Sequence, residues 1–181
     1  MSILDNTRKQ LNEIQTAITK NSDQTRKQIA EIKANKDFTE QARRKKAESL
    51  ERARDKKYAE LMKQRAKVVK EASGKLAKRL YSGKNSSDLQ FDITVSELTK
   101  KDDDELVSLL KQNPSDETRR AVLKAAVIGE RPKAKVLEAA SKDPAVSDKV
   151  SDYVSFQKEF GAWESRTRKM ERALFGDRAS A

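Results

Sequence analysis

The sequence predicts an all-α protein: a long N-terminal antiparallel helical hairpin or coiled coil, then a small helical domain with a long C-terminal helix. Three observations predict it. Apolar residues recur at seven-residue steps along residues 3–34. Residues 39–81 then run without a proline under a dense coat of Lys and Arg. Only 5 Gly and 3 Pro punctuate 181 residues, too few for a chain rich in turns. Charged residues make up 38% and apolar residues 35%, which would make a single compact core lean. The expected division is therefore a basic hairpin or coiled coil over 1–81, a linker and extended segment over 82–95, and a small α-helical domain over 96–181.

The first helix carries the row Leu4, Leu11, Ile18, Thr25 and Ile32, flanked by Thr7, Ile14 and Asn21 and, one position out of phase, Ile29. This is the narrow stripe of a helix that pairs with another. Asn21 and Thr25 interrupt it at the centre, either fixing register or marking a weak, solvated stretch. The break at Ala34–Thr39 suits a turn, with Asp37 or Thr39 as the next cap and Asp37 with Glu40 as a variant capping box. Phe38 is expected to plug the corner between the helices.

The second helix has its own row, including Ala47, Leu50, Tyr58, Leu61, Val68, Ala72, Leu76 and Leu80, with Arg54 and Arg65 standing where apolar residues would be expected. The expected helix-pairing stripe is thus Leu4, Leu11, Ile14, Ile18, Ile29, Ile32, Leu50, Leu61, Val68 and Leu76. A helix of about 60 Å, at about 1.5 Å per residue, must fold back on residues 3–34, pair with another copy, or lie on a larger partner. A homo- or hetero-oligomer is therefore expected.

Beyond a polar linker at 82–87, Leu89, Phe91, Ile93 and Val95 alternate with period two and predict an extended segment. Four helices should follow. The first begins at Thr94 or Thr99 and runs to Leu110, with Asp102, Asp103, Asp104 and Glu105 in its first turn; Asn113-Pro114-Ser115 ends it. The second covers about Asp116 to Ile128 before Gly129, and the third starts near Pro132. The fourth starts at Asp143-Pro144 as cap and N1 proline and reaches about Phe175. Tyr153, Phe156, Phe160 and Trp163 read as core anchors, with Phe156 the member expected at the surface.

Composition removes whole classes of chemistry. With no Cys and no His, disulfides, Cys/His zinc sites, Cys nucleophiles and His bases are excluded. No Gly-rich phosphate loop or nucleophile–base pair is visible, so the expectation is no enzyme and no cofactor, catalytic or metal site. The acids at 102–105 could attract a hard cation, but adjacent helical residues diverge, so they read as complements to the helix dipole. No apolar run approaches the ~20 residues of a membrane span, and the start lacks a secretory signal's apolar region. The expectation is a soluble protein without a membrane partner, in the cytoplasm or in a virion.

The formal net charge is +11, and residues 42–80 alone hold 15 Lys/Arg against 5 Asp/Glu. Arg43, Arg44, Lys45, Lys46, Arg52, Arg54, Lys56, Lys57, Lys63, Arg65, Lys67 and Lys70 are the candidates for binding a polyanion or an acidic partner. They suit phosphates, through counterion release without sequence preference, or an acidic protein surface; a solvated face that keeps a long helix in solution is the third reading. Only Tyr58 and Tyr81 could stack on bases, which argues against single-strand recognition.

Between the helices the chain reads Ile32-Lys33-Ala34-Asn35-Lys36-Asp37-Phe38-Thr39-Glu40-Gln41-Ala42-Arg43-Arg44, followed later by Leu109-Leu110, Arg120-Ala121-Val122 and Ala125-Ala126. In this layout the chain resembles small virion or morphogenesis proteins from the structural-gene modules of tailed bacteriophages of Gram-positive hosts. The resemblance implies a non-enzymatic structural or assembly protein that contacts other virion proteins and packaged DNA. No single site residue carries over from it. The alternative is a cellular helical protein that binds DNA or RNA by charge alone.

Overall fold

The computed structural model describes residues 2–83, 89–128 and 132–161. It holds α1 (Ile3–Ala34), α2 (Glu40–Tyr81), α3 (Leu89–Thr99), α4 (Asp103–Lys111), α5 (Asp116–Val127), α6 (Ala134–Ala140) and α7 (Ser147–Phe156), the last continued by a π-helical turn at Gln157–Gly161. Among the described residues there is no strand. The all-α expectation holds, with its two long N-terminal helices packing together. The expected reach of the last helix beyond residue 161, Trp163 and Phe175 included, lies outside the described residues, as does Gly129.

The chain forms two compact units, residues 1–71 and 72–181. The division falls inside α2 rather than at residue 81, because the final residues of α2 bury their apolar side chains in the second unit.

In the first unit, α1 starts at a reciprocal cap. Ser2 Oγ accepts from Asp5 N at 3.0 Å, while Asp5 Oδ2 accepts from Ser2 N at 3.3 Å. The Ser2 hydroxyl also donates to Asp5 Oδ2 at 2.7 Å, and this bond, with the one from Ser2 N, holds the Asp5 carboxyl below the usual range. At the corner, Asn35 Oδ1 accepts from Asp37 N at 2.8 Å, closing an Asx turn. Thr39 then caps α2, its Oγ accepting from Ala42 N at 3.2 Å. The cap is therefore Thr39 and not Asp37, which is held back in the turn by Asn35. Phe38 is half-buried at the corner, with Lys46 Nζ 3.6 Å from its ring centroid.

Three bonds set the pairing of α1 with α2. Arg43 Nη1 donates to Lys33 O at 3.3 Å, Asn21 Nδ2 to Arg54 O at 3.2 Å, and Arg65 Nη1 to Gln15 Oε1 at 3.1 Å. Numbers rise along α2 as they fall along α1, so the pair is antiparallel. Leu11 and Leu61 are buried in the seam, with Met62 and Val69. Leu4, Ile14, Ile18, Ile29, Ile32, Leu50 and Val68 are half-buried, as expected where only one neighbouring helix covers a stripe. Buried Thr7 and Thr25 turn their hydroxyls back to Ile3 O and Asn21 O, at 2.7 and 2.9 Å, so neither leaves a polar group unsatisfied. Asn21 supplies a register-specific polar contact in the seam. Asn21→Ala should destabilise the hairpin by about 1 kcal/mol, the typical worth of one such hydrogen bond, measured by denaturant unfolding.

In the second unit, Leu76 and Leu80 of α2 are fully buried. Leu76 thus belongs to this core and not to the pairing stripe of the first unit. Residues 89–95, expected to be extended, form α3. Leu89, Phe91, Ile93 and Val95 contain both a period-two row and an i, i+4 pair, and burial decides between them. Phe91, Val95 and Leu98 fall on one helical face and are buried, leaving Leu89 and Ile93 75% and 44% exposed. That core joins them to Leu106, Ala121, Val122, Ala125, Ala126 and Val136. A break at Lys100–Asp102 separates α3 from α4, so the single helix expected through Leu98 and Leu110 is two helices. Asn113, at φ 52, terminates α4 in the left-handed region, and Ser115 Oγ caps α5 by accepting from Thr118 N at 3.1 Å.

The fourth expected helix begins later than its Asp-Pro pair suggested. Asp143 Oδ1 accepts from Ala145 N at 3.0 Å, and its carbonyl accepts from Ser147 N at 2.8 Å, so Pro144 sits in a turn and α7 starts at Ser147.

Candidate functional site

The basic residues of α2 project from a helix whose opposite side is spent on the seam. Their environments separate them into two sets. Arg43 reaches Lys33 O, Lys46 covers Phe38, and Arg65 is half-buried on Gln15. Burial pushes the Arg65 guanidinium down from its ordinary value, and Tyr58 pulls it back up. Arg44 pairs with Glu48 at 3.1 Å, Arg54 with Asp55 at 2.7 Å, Lys57 with Glu60 at 3.5 Å and Lys67 with Glu71 at 3.9 Å. Exposed pairs of this kind are worth little energetically, but they neutralise charge locally.

Lys45, Arg52, Lys56, Lys63 and Lys70 form the second set. All five are exposed, and none makes an ion pair or side-chain hydrogen bond among the described residues. At about 100° per residue they fall within roughly 40° of arc on α2. Leu61 lies opposite them on the helix and Met62 and Val69 about 100–120° round, so the five point away from the seam. The line from Lys45 to Lys70 covers about 38 Å at about 1.5 Å per residue. Glu48, Asp55, Glu60 and Glu71 flank this line and pair with other cations of α2, namely Arg44, Arg54, Lys57 and Lys67. What remains is a straight, unneutralised row of five positive charges. All five are legible as basic candidates in the sequence, but Glu48, Asp55 and Glu60 stand three or four residues from four of them, so no acid spacing marks them off from their seven neighbours.

The other candidates resolve into structure. Asp102 and Glu105 form a capping box on α4, with Asp102 Oδ1 accepting from Glu105 N at 2.8 Å and Glu105 Oε2 from Asp102 N at 3.2 Å. Asp103 pairs with Lys133 at 3.7 Å and Asp104 with Lys135 at 3.5 Å. No cluster of metal-ligating residues occurs among the described residues. Phe156, expected at the surface, is only 1% exposed, and its ring centroid lies 5.0 Å from that of buried Phe160. Tyr153 is buried beside them, and that burial raises its phenol above the ordinary value. A groove of about 530 Å³ opens in the second unit over Val107, Leu110 and Ala139. Its rim carries the Lys135–Asp104 pair, with no nucleophile and base set against each other.

No described helix is long and apolar enough to cross a membrane. Comparisons with protein families, with curated proteins and with solved structures find no match.

Proposed function

We propose that this chain is a non-enzymatic assembly protein that docks on an anionic macromolecule through the outer face of α2. One observation carries the reading: Lys45, Arg52, Lys56, Lys63 and Lys70 stand in line, exposed and unneutralised, while the other cations of the first unit's α2 segment are engaged within the chain. Five like charges in a row repel one another, and an anionic surface relieves that repulsion while releasing its own counterions. The resemblance to tailed-phage virion proteins supplies the setting, a particle in which other virion proteins, and DNA, are the anionic surfaces at hand.

The test is retention of the purified chain on two anionic supports, immobilised DNA and immobilised polyglutamate. The chain should bind at least one of them at low salt and elute as salt rises. The variant K45Q/R52Q/K56Q/K63Q/K70Q should lose that binding while keeping its far-UV circular dichroism, because Gln is a good helix former. If all five cations engage duplex phosphates, log K should fall against log salt with a slope of about −4.5. Failure of the wild-type chain to bind either support at low salt, or undiminished binding by the quintuple variant, would overturn the proposal. A virion setting requires the protein in purified particles; its presence in the lysate alone counts against that setting.

A further inference from the structure

Resting on that reading, we propose that the partner of the α2 row is an acidic α-helix of another protein, bearing carboxylates at seven-residue steps and lying alongside α2. The spacing is the first argument. Lys45 and Arg52 are seven residues apart, and so are Lys56, Lys63 and Lys70 in turn; the two rows are offset by four residues. Seven residues are two helical turns, about 10.5 Å of rise. A helix that repeats an acid every seven residues presents carboxylates at the same rise, so every cation meets a partner in one alignment.

Duplex DNA offers no such match. One turn of the duplex rises about 34–36 Å, so along a row of about 38 Å each phosphate strand winds fully around the axis. A straight helix laid along it meets phosphates only where it crosses a strand.

The second argument is shape. Each seven-residue gap in the row is flanked by one longer and one small side chain, Glu48 and Ser49, Glu60 and Ala59, Lys67 and Ala66, and the small members leave room beside the charges. A rod-like partner can approach the α2 backbone there, with long Lys and Arg side chains closing from both sides.

A second copy of this chain does not fit the row. Two α2 rows facing each other would oppose cation to cation. The acids of α1, Asp5, Glu13, Asp23 and Glu31, do not repeat at seven. Asp103, Asp104 and Glu105 of α4 are engaged by Lys133, Lys135 and Lys101. Glu48 and Asp55 of α2 are seven apart but are held by Arg44 and Arg54, so no described helix of the chain supplies a free complementary row of this length.

The test titrates the full chain with three labelled probes at equal ionic strength. These are a helical peptide with Glu in two seven-residue rows offset by four, a peptide of the same composition with its Glu scattered around the helix, and duplex DNA of about 30 base pairs, nearly three times the length of the row. The ordered peptide should bind about tenfold tighter than the scattered one, the scale of five exposed ion pairs acting together. The charge-conserving variant R52A/A53R/K63Q/Q64K moves two cations about 100° off the line and should erase that preference. Equal binding of the two peptides, an unchanged preference in the variant, or tighter binding of DNA than of the ordered peptide would each overturn the inference while leaving the anionic docking face in place. Binding of none of the probes would overturn both.

Discussion

Phe156→Ala should destabilise the second unit by about 3–5 kcal/mol, the usual cost of emptying a large aromatic site in a core. Phe156 is among the largest fully buried side chains of the chain, at 1% exposure, and its ring packs at 48° to that of Phe160. Truncation forfeits the burial and the ring contact together and leaves a void that neighbours fill only in part. Val150, Tyr153 and Phe160 are buried on the same segment, so the void would open inside one continuous packing surface. Denaturant unfolding followed by circular dichroism should show the midpoint of the second unit's transition falling sharply. Phe38→Ala is the control: that ring is half-buried under one Lys, and its loss should cost no more than about 1 kcal/mol. A Phe156→Ala cost as small as the Phe38 control would mean that Phe156 does not sit in the core.

The contrast between Phe156 and the hairpin shows where the sequence was legible. Leu4, Leu11 and Ile18, set against Leu50, Leu61 and Val68, make period and partner visible together, because a two-helix seam is a one-dimensional pattern. Asn21 was legible as an interruption, but its acceptor, the carbonyl of Arg54, depends on the alignment of two helices and on no local signal. The segment 89–95 misled because alternate apolar residues satisfy two periods, and only the core around Leu106 and Val122 selects the helical one. Phe156 misled because the turn at Gln157–Gly161 is π-helical. Its i→i+5 bonds advance the chain through a smaller angle per residue than an α-helix does, which alters the phase between Phe156 and Phe160. The basic face was legible in identity but not in arrangement. Reversing Arg43, Arg44, Lys45 and Lys46 together would disturb a cross-helix bond, an ion pair and a cation–π contact along with one unengaged cation. The five-residue row gives a cleaner perturbation, because none of its members holds the hairpin together.

Asp143→Ala should destabilise the second unit by about 3 kcal/mol, and the reason is a stranded charge more than a lost bond. Arg119 of α5 donates from Nε to Asp143 Oδ2 at 2.6 Å, and the two side chains are only 11% and 22% exposed. The other carboxylate oxygen of Asp143 accepts from Ala145 N, so one residue shapes the turn into α7 and also fixes that turn to α5. With Asp143 removed, the nearest carboxylate to Arg119 is Asp116, whose Oδ1 lies 4.0 Å away on a far more exposed side chain. A partly desolvated guanidinium would then keep most of its burial cost with little of its compensation. The double variant R119M/D143A removes both charges and retains an apolar stem, and it should be more stable than D143A alone. Asp143→Asn separates the two roles, because its amide oxygen can still accept from Ala145 N while the charge on Arg119 goes unanswered. Its cost should fall between those of the wild-type chain and D143A. Additive single-variant costs in this cycle would mean that Arg119 and Asp143 do not act as a pair, and the turn at 143–146 would then account for the whole effect.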